Sequence, residues 1–320
     1  MKEMNEFSKQ VRKAYEKALK RYSKREYVTA VDVGTKYTGG KETDVEAVRI
    51  HVKEKKSGIA LESAEIFPES IDGVPVDVIE AVYAAKDYSV GVESISDRRS
   101  RFQVLQPGIS VAHYSVTAGT LGLLVNDSES GKPAILSNWH VLCGSNNARI
   151  GDPILQPGSK DGGRTSNDTI AYLERWMLDK NGDAAIALLN SIREWRSEQL
   201  GTNVTLTGLR IPQKGDILVK SGRSTGVTYG RVDGKGRYKI EYAIGEVEID
   251  GFRLVPRKQG NPDNEEISSG GDSGSCWYDP STNEGVGLHF AGETNSSPQE
   301  EKAIACFLTR VFDRLKVNLI

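Results

Sequence analysis

The stretch SSGGDSGSCW, Ser268 to Trp277, places one serine, Ser273, between an aspartate and a glycine. A serine hydroxyl is a poor nucleophile near neutral pH. It needs a base to take its proton and a third group to fix the tautomer of that base. The stretch by itself fits an ordinary Gly/Ser turn equally well. The rest of the chain therefore decides whether Ser273 is a nucleophile, through the histidines and aspartates that it supplies.

Four histidines are available, His51, His113, His140 and His289. His140 follows the strand-like run AILSNW, and a histidine just past a strand end is well placed to project into a cleft. His51 lies inside a strand-like run, which favours a structural role, and His113 has no evident catalytic context. His140 is therefore the candidate base.

The orienting acid is expected between His140 and Ser273. In NGDAAIALL, Asp183 follows an Asn-Gly turn and leads into a strand of small and apolar residues, a setting that can hold a partly buried carboxylate beside an imidazole. Asp179, which precedes the turn, is the alternative. An α/β-hydrolase is excluded, because its nucleophile elbow needs glycine where Ser275 stands and its histidine comes last.

The glycines before Ser273 permit a tight turn that aims backbone amides at one point. The N–H groups of Gly271 and Ser273 are the candidate donors of an oxyanion hole, which would stabilise a tetrahedral intermediate. Asp272 is expected to turn inward and hold this loop.

Residues 1–95 predict a small α+β domain. It opens with an amphipathic helix whose apolar residues recur at three- and four-residue spacing: Met4, Phe7, Val11, Tyr15, Ala18, Leu19 and Tyr22. Two β-branched segments around TGGKE predict a hairpin after it. Residues 96–107 predict a linker. This domain is a candidate for regulation or for assembly into a homo-oligomer.

From residue 108 onward, short strand-like runs alternate with glycine-rich turns, which is typical of a mainly β protein. Two six-stranded barrels are predicted, over about 108–200 and about 205–308, and a closing helix over 309–318.

The overall charge, hydropathy and cysteine content of the chain argue against several classes of function. The net charge of −2 gives no electrostatic case for binding nucleic acid or a membrane surface, and no apolar run approaches a membrane span. The three cysteines, Cys143, Cys276 and Cys306, are odd in number and form no metal motif. These observations predict a protein of a reducing, cytoplasmic compartment without a metal.

Together LSNWHV, DAAIALL, GGDSGS and GLHFAG resemble the trypsin/chymotrypsin-like serine protease superfamily over roughly residues 108–318. GTLGLLV and KSGRSTGVTYGRV resemble its bacterial trypsin-like branch and the plant narrow-leaf-type proteases. The resemblance implies two perpendicular β-barrels and a serine endopeptidase that cuts a polypeptide substrate without a cofactor. It assigns the general base to His140, the orienting acid to Asp183, the nucleophile to Ser273, and the oxyanion donors to the amides of Gly271 and Ser273.

Two departures from that family stand out. Val141, not cysteine, follows the histidine, which indicates a disulfide-free variant. No Arg-Ile-Val-Gly-Gly activation sequence is present, so the new N-terminus that normally pairs with the aspartate at Asp272 has no evident equivalent.

The same resemblance places the specificity pocket. Ile267, six residues before Ser273, would form its floor, and Ser268, His289 and Gly292 would line it, because GLHFAG resembles a strand of glutamate-specific bacterial endopeptidases. An imidazole and a hydroxyl both donate hydrogen bonds, which predicts Glu or Gln before the cut. The alternative is that His289 packs in the barrel wall beside Phe290 and leaves an apolar pocket.

Two other readings stay open. The chain could be a pseudoprotease or a scaffold that binds a peptide without cutting it, or a latent protease that awaits a trigger. An intact triad argues against simple binding, which does not require all three residues.

Overall fold

The apolar alternation of the sequence is realised as two large β-sheets in a computed structural model. It describes residues 2–39, 41–55, 67–85, 97–257, 266–294 and 301–320. The fold is mainly β, as predicted. Within the described ranges, no helix combines the length and the apolar surface needed to cross a membrane.

The first sheet has eight strands. In spatial order they are β22 (Val317–Leu319), β9 (Leu123–Asp127), β10 (Pro133–Ser137), β13 (Gly182–Leu189), β12 (Thr169–Asp179), β11 (Pro153–Leu155), β7 (Ser110–His113) and β8 (Gly119–Thr120). Strand β13 is central and lies next to β10, in the register Ser137 opposite Ala185. This pairing brings the segment after β10 close to the start of β13.

The second sheet has twelve strands. Ten follow one path: β16 (Ile217–Gly222), β19 (Cys276–Tyr278), β20 (Glu284–Glu293), β21 (Ala303–Phe307), β18 (Gly245–Val255), β17 (Gly226–Tyr242), β1 (Val28–Thr38), β2 (Lys41–Val52), β4 (Val74–Glu80) and β3 (Ser70–Ile71). Off this path, β15 (Gly208–Leu209) pairs with β20, and β5 (Tyr83–Ala84) pairs with both β17 and β20. Strand β16 also pairs with β17, so the first six strands of the path form a closed ring.

A small two-stranded sheet joins β14 (Glu194–Trp195) to β6 (Val104–Leu105). Within the described ranges, the α-helices are α1 (Lys9–Tyr22), α2 (Trp139–Leu142), α3 (Thr165–Asp168) and α4 (Leu308–Leu315). The same ranges contain 3-10 turns at Lys2–Met4, Asp97–Arg99 and Ser159–Asp161. The closing helix ends at Leu315, earlier than predicted, because Lys316 adopts a left-handed conformation (φ +51°) and the chain continues as β22.

The N-terminal helix and strands occur as predicted. Ser8 caps α1 by accepting a hydrogen bond from the Val11 amide at 3.2 Å. The apolar face of α1 packs on β1 and β2, and its Tyr15, Ala18 and Tyr22 are buried. This packing explains the three- and four-residue spacing in the sequence.

The N-terminal strands continue the second sheet. Strand β1 pairs antiparallel with β17, from Ala30 opposite Tyr238 to Gly34 opposite Gly234. Arg98, in the predicted linker, donates to the Ser221 hydroxyl at 2.7 Å and to the Leu200 carbonyl at 2.8 Å. The division into domains at residues 95 and 107 stays a prediction, and the backbone pairing shows that the N-terminal strands and the ring share one sheet.

A buried cluster of charges fastens β1 and β2 to the ring. The Arg49 guanidinium lies 2.6 Å from Asp32 and 2.7 Å from Asp233, and all three side chains are fully buried. Arg253 donates to Asp233 through Nε at 2.8 Å. A Cβ atom at Gly234 would overlap the Arg49 guanidinium, so glycine is required there.

In this cluster, burial and the neighbouring positive charges have opposite effects on the pKa values of Asp32 and Asp233. Burial acts to raise the pKa of Asp32, but the charges of Arg49 and His51 outweigh it and hold that pKa well below its usual range. For Asp233, burial is likewise outweighed by Arg253 and Arg49, and the pKa is lowered. Both carboxylates are therefore ionised in the folded protein, and their contribution to stability is lost only as the pH falls below about 4.

The variant Arg49→Met tests this cluster. Removing the guanidinium leaves two buried carboxylates short of a partner, so we expect the free energy of unfolding to fall by about 3–5 kcal/mol. The control is Arg231→Met, which breaks the half-buried pair of Arg231 with Glu42 (2.6 Å) between the same parts of the chain. That change should cost less than about 1 kcal/mol. Equal losses in urea denaturation would contradict a special role for the buried cluster.

Candidate active site

Ser273 sits at the turn of a tightly folded loop. Gly271 and Gly274 have φ values of +97° and +94°, which only glycine adopts without strain. The Asp272 amide donates to the Ser269 carbonyl at 3.0 Å, and the Ser275 amide donates to the Asp272 carbonyl at 3.0 Å. Within the described residues, neither the Gly271 amide nor the Ser273 amide has an acceptor. Two backbone donors are thus left beside the Ser273 side chain.

Asp272 turns inward, as the sequence predicts, and it finds a partner that the sequence did not reveal. Its carboxylate is fully buried and accepts from Lys220 Nζ at 3.0 Å, from the Thr225 hydroxyl at 2.6 Å and from the Ser224 amide at 2.8 Å. Burial acts to raise the pKa of Asp272, but the charge of Lys220 and these hydrogen bonds outweigh burial. The pKa of Asp272 is therefore lowered below its usual range. The charged partner of Asp272 is therefore a lysine of the same chain.

His140 and Asp183 are brought together by the pairing of β10 with β13. His140 lies in α2, directly after β10, and its Nδ1 is 2.5 Å from Asp183 Oδ2. The backbone amide of His140 donates to Asp183 Oδ1 at 3.3 Å, and Asn138 Nδ2 donates to the Asp183 carbonyl at 2.7 Å. Asp183 is fully buried. A carboxylate held in this way favours the tautomer with the proton on Nδ1 and leaves Nε2 as a hydrogen-bond acceptor.

The alternative acid, Asp179, does not contact His140. It lies at the end of β12, accepts from the Asn181 amide at 2.7 Å and pairs with exposed Arg314 at 3.4 Å. The structure thus joins Asp183, and not Asp179, to the histidine.

The Ser273 loop lies against the strand that precedes His140. The Ser137 hydroxyl donates to the Thr120 carbonyl at 2.7 Å, and the Thr120 amide donates to the Ser273 carbonyl at 2.8 Å. Within the described part of the chain, His140 Nε2 and Ser273 Oγ are both buried without a hydrogen-bond partner. The two atoms that a triad would join are therefore among the buried polar atoms without a partner in the described residues.

The predicted pocket residues are all buried, and one carboxylate joins them. The Ser268 hydroxyl donates to Glu301 Oε1 at 2.8 Å, and the Ser268 amide lies 3.2 Å from Glu301 Oε2. Ile267 is buried next to Ser268, and its carbonyl accepts from the Thr228 hydroxyl at 2.8 Å. Glu301 is only 2% exposed, so a buried acidic group adjoins the predicted pocket.

His289 is attached to the Ser273 loop through its backbone. Its amide donates to the Ser275 carbonyl and its carbonyl accepts from the Gly274 amide, both at 2.9 Å. Its fully buried ring makes an edge contact with Trp277, at 6.3 Å between centroids. His289 therefore lies next to the loop of Ser273, as a residue of the specificity pocket predicted from the sequence would have to.

The edge of β20 that carries the Ser273 loop also carries residues from the N-terminal region. Gly292 lies opposite Ala84 in an antiparallel pairing, and the Thr294 amide donates to the Val82 carbonyl at 3.0 Å. Ala84 and the loop contact at His289 are separated by three residues of β20, about 10 Å of strand.

A second row of serine, histidine and aspartate occurs elsewhere. His113 Nδ1 is 2.7 Å from the Ser115 hydroxyl, and its Nε2 is 3.2 Å from Asp152. The Ser115 backbone amide also donates to Nδ1 at 3.2 Å, which is a local turn contact. This row serves as a control for the candidate triad. The described residues hold no group of three His, Cys, Asp or Glu placed to bind a metal ion.

No protein-family model and no curated protein matches the sequence. Solved structures do match. Thermobifida fusca protease A aligns at 17% identity and a TM-score of 0.50, over 68% of this chain and 98% of that one. A glutamic-acid-specific serine protease that uses a histidine triad in substrate binding aligns at 17% identity and 0.51, over 68% of this chain and 100% of that one. Nocardiopsis protease aligns at 17% identity and 0.50, over 67% and 99%.

These structures confirm the fold class predicted from the motifs, and the share of the chain outside the alignments leaves room for the extra N-terminal elements. At this level of identity the likeness concerns the architecture, and the chain has the fold of the bacterial trypsin/chymotrypsin-like serine proteases.

Proposed function

We propose that this protein is a serine endopeptidase with Ser273 as nucleophile, His140 as general base and Asp183 as the orienting acid. The observation that carries the proposal is the His140–Asp183 contact at 2.5 Å, together with His140 Nε2 and Ser273 Oγ, which are buried without a hydrogen-bond partner among the described residues. A peptide-binding scaffold would gain nothing from burying a polarised histidine beside a serine with no partner.

The chemistry follows from these groups. His140 Nε2 takes the hydroxyl proton as Ser273 Oγ attacks the carbonyl carbon of the scissile peptide bond. The amides of Gly271 and Ser273 stabilise the negative oxygen of the tetrahedral intermediate. The imidazolium then gives its proton to the leaving amine, and water hydrolyses the acyl-enzyme with His140 again acting as base.

Substitutions of the triad test this proposal. We expect Ser273→Ala and His140→Ala to lower kcat by something on the order of 10⁶, and Asp183→Asn by about 10⁴, since the last keeps the shape but favours the wrong tautomer. A labelled fluorophosphonate should modify the wild type and not Ser273→Ala. Ser115→Ala, from the second row, is the matched control and should label normally. A well-folded wild type that never labels would favour the pseudoprotease or scaffold.

The same cleft suggests the substrate preference. The sequence prediction from Ser268 and His289 is Glu or Gln before the cut, and one structural neighbour of 17% identity is glutamic-acid-specific. The Ser268 hydroxyl already donates its one hydrogen to Glu301, so it can only accept from a substrate, which suits the amide of Gln. The carboxylate of Glu301, bonded to Ser268, opposes a second carboxylate in that place. We therefore propose that the amide side chain of Gln is preferred over Glu.

A peptide series that differs only at this position tests the preference. We expect Gln to exceed Leu in kcat/KM by roughly tenfold or more, and His289→Ala to reduce the value for Gln without reducing that for Leu. His113→Ala is the control histidine. Preference for Leu or Phe that His289→Ala leaves unchanged would reject the idea and indicate an apolar pocket over Ile267. Preference for Lys or Arg would mean that Glu301 governs the pocket.

A second candidate, a latent form of the same enzyme, is favoured by the occupied edge of β20. Extended peptides bind exposed strand edges through backbone hydrogen bonds, and here residues 82–84 already use that edge. A substrate strand on this edge would have to displace them. Self-association through residues 1–95 and a cytoplasmic location stay predictions.

The variant Ala85→Pro tests latency. It removes the amide that donates to the Glu241 carbonyl at 3.3 Å and so loosens β5. We expect fluorophosphonate labelling to become several-fold faster. Ala81→Pro, which removes a bond to the Val52 carbonyl in the same segment, is the control for general loosening. Slower labelling in Ala85→Pro alone would show that β5 completes the site.

A further inference from the structure

Tyr242 touches the carboxylate of the candidate triad. Its hydroxyl donates to Asp183 Oδ2 at 2.8 Å, and the same oxygen receives His140 Nδ1 at 2.5 Å. Asp183 belongs to the first sheet and Tyr242 is the last residue of β17 in the second sheet. The hydrogen bond therefore joins the two sheets at the cleft.

The ring of Tyr242 packs against two aromatic rings of helix α2. It meets the Trp139 ring edge-on, with 6.3 Å between centroids and 84° between planes. Its centroid is 5.9 Å from that of the His140 imidazole. The side chain is buried, so the hydroxyl has little freedom to leave Asp183 for water.

The hydroxyl of Tyr242 acts only as a donor here. Burial, followed by the charge of Asp183, raises the pKa of Tyr242 well above its usual value. The phenol stays protonated throughout the pH range in which a histidine works as a base.

We propose that Tyr242 is a positioning residue for the reaction, which holds the Asp183 carboxylate in the orientation that its bond to His140 requires and spreads its negative charge. This rests on the proposed function. Three donors then surround the carboxylate: the phenol and Nδ1 on Oδ2, and the His140 amide on Oδ1. Such a network fixes both the rotation of the carboxylate and the tautomer of the imidazole.

The position of Tyr242 depends in turn on the N-terminal region. Its neighbour Glu241 lies opposite Ala84 of β5 in a parallel pairing, and the Glu241 carbonyl accepts from the Ala85 amide. The end of β17 that carries the phenol is thus held by a strand from residues 1–95, which gives that region a physical route to the triad.

The variant Tyr242→Phe keeps the ring and removes only the hydroxyl. We expect kcat to fall about 10- to 100-fold, the loss of one buried hydrogen bond to a charged group, with KM nearly unchanged. The remaining charge of Asp183 concentrates on the bond to Nδ1 and favours the imidazolium, so the acid limb of kcat/KM against pH should move to higher pH, by about half a unit.

Tyr238→Phe is the matched control, because Tyr238 lies four residues earlier in β17 and donates to the buried Asp32 at 2.9 Å. It loses the same kind of bond, so it should lower stability without moving the acid limb. If Tyr242→Phe and Tyr238→Phe have the same kcat and the same acid limb of kcat/KM against pH, the role of Tyr242 is only structural and the proposal is wrong.

A readout without activity separates this proposal from the proposed function. In Ser273→Ala, which turns over no substrate, the low-field NMR resonance of the His140 Nδ1 proton reports the bond to Asp183. We expect Tyr242→Phe to shift or broaden that resonance and Tyr238→Phe to leave it in place. If the wild type is inactive but the resonance changes in Tyr242→Phe, the proposed peptidase function is wrong and the positioning of Asp183 by Tyr242 stands. If the wild type is active but the resonance does not change in Tyr242→Phe, the positioning role alone is wrong.

Discussion

The contact of Arg49 with Asp32 and Asp233 is the constraint on which the rest of the structure depends. A buried guanidinium and two buried carboxylates are each costly by themselves, and they are tolerated only as a complete set. Two members come from the N-terminal hairpin and one from β17 of the ring. The two parts of the chain therefore cannot separate without exposing unpaired charges, and the extra N-terminal elements are committed to the same sheet as the candidate active site.

Strand β17 carries this constraint to the site. It is 17 residues long. It begins after the turn that holds Asp272 through Ser224 and Thr225, passes Asp233, and ends at Tyr242 against Asp183. The Ser273 loop, the charged cluster and the His140–Asp183 pair are thus all braced against one strand. This arrangement explains why groups far apart in the sequence are held in a single rigid unit.

The sequence predicts those features that local patterns encode. The glycines around Ser273, the strand end before His140 and the small apolar run after Asp183 each have a short-range signature, and in the structure His140 lies beside Asp183. The partners of these residues carry no such signature. Lys220 lies 52 residues from Asp272 and Tyr242 lies 59 from Asp183. Only the β-sheet register brings them together, and that register is not visible in a run of polar and apolar letters. A lysine inside the apolar run DILVKSG was the one available hint that a buried carboxylate had to be near.

In the candidate site the buried carboxylate of Asp272 already has its charged partner, whereas the neighbouring edge of β20 is occupied by β5. Lys220 holds Asp272 without any new N-terminus, so the loop of Ser273 is formed with the chain intact. The edge of β20 beyond His289 is nevertheless taken by Tyr83 and Ala84. The partner of Asp272 is thus a side chain of the same polypeptide.

In the proposed latent form, access to the site is limited by the hold of β5 between β17 and β20. That hold includes backbone bonds of modest net strength in water, among them the Ala85 amide to the Glu241 carbonyl at 3.3 Å. It also includes the buried side chain of Tyr83, whose hydroxyl lies 2.7 Å from His51 Nδ1, and His51 Nε2 lies 3.1 Å from Asp32. Displacing β5 therefore disturbs the same buried charges that keep the N-terminal hairpin in place.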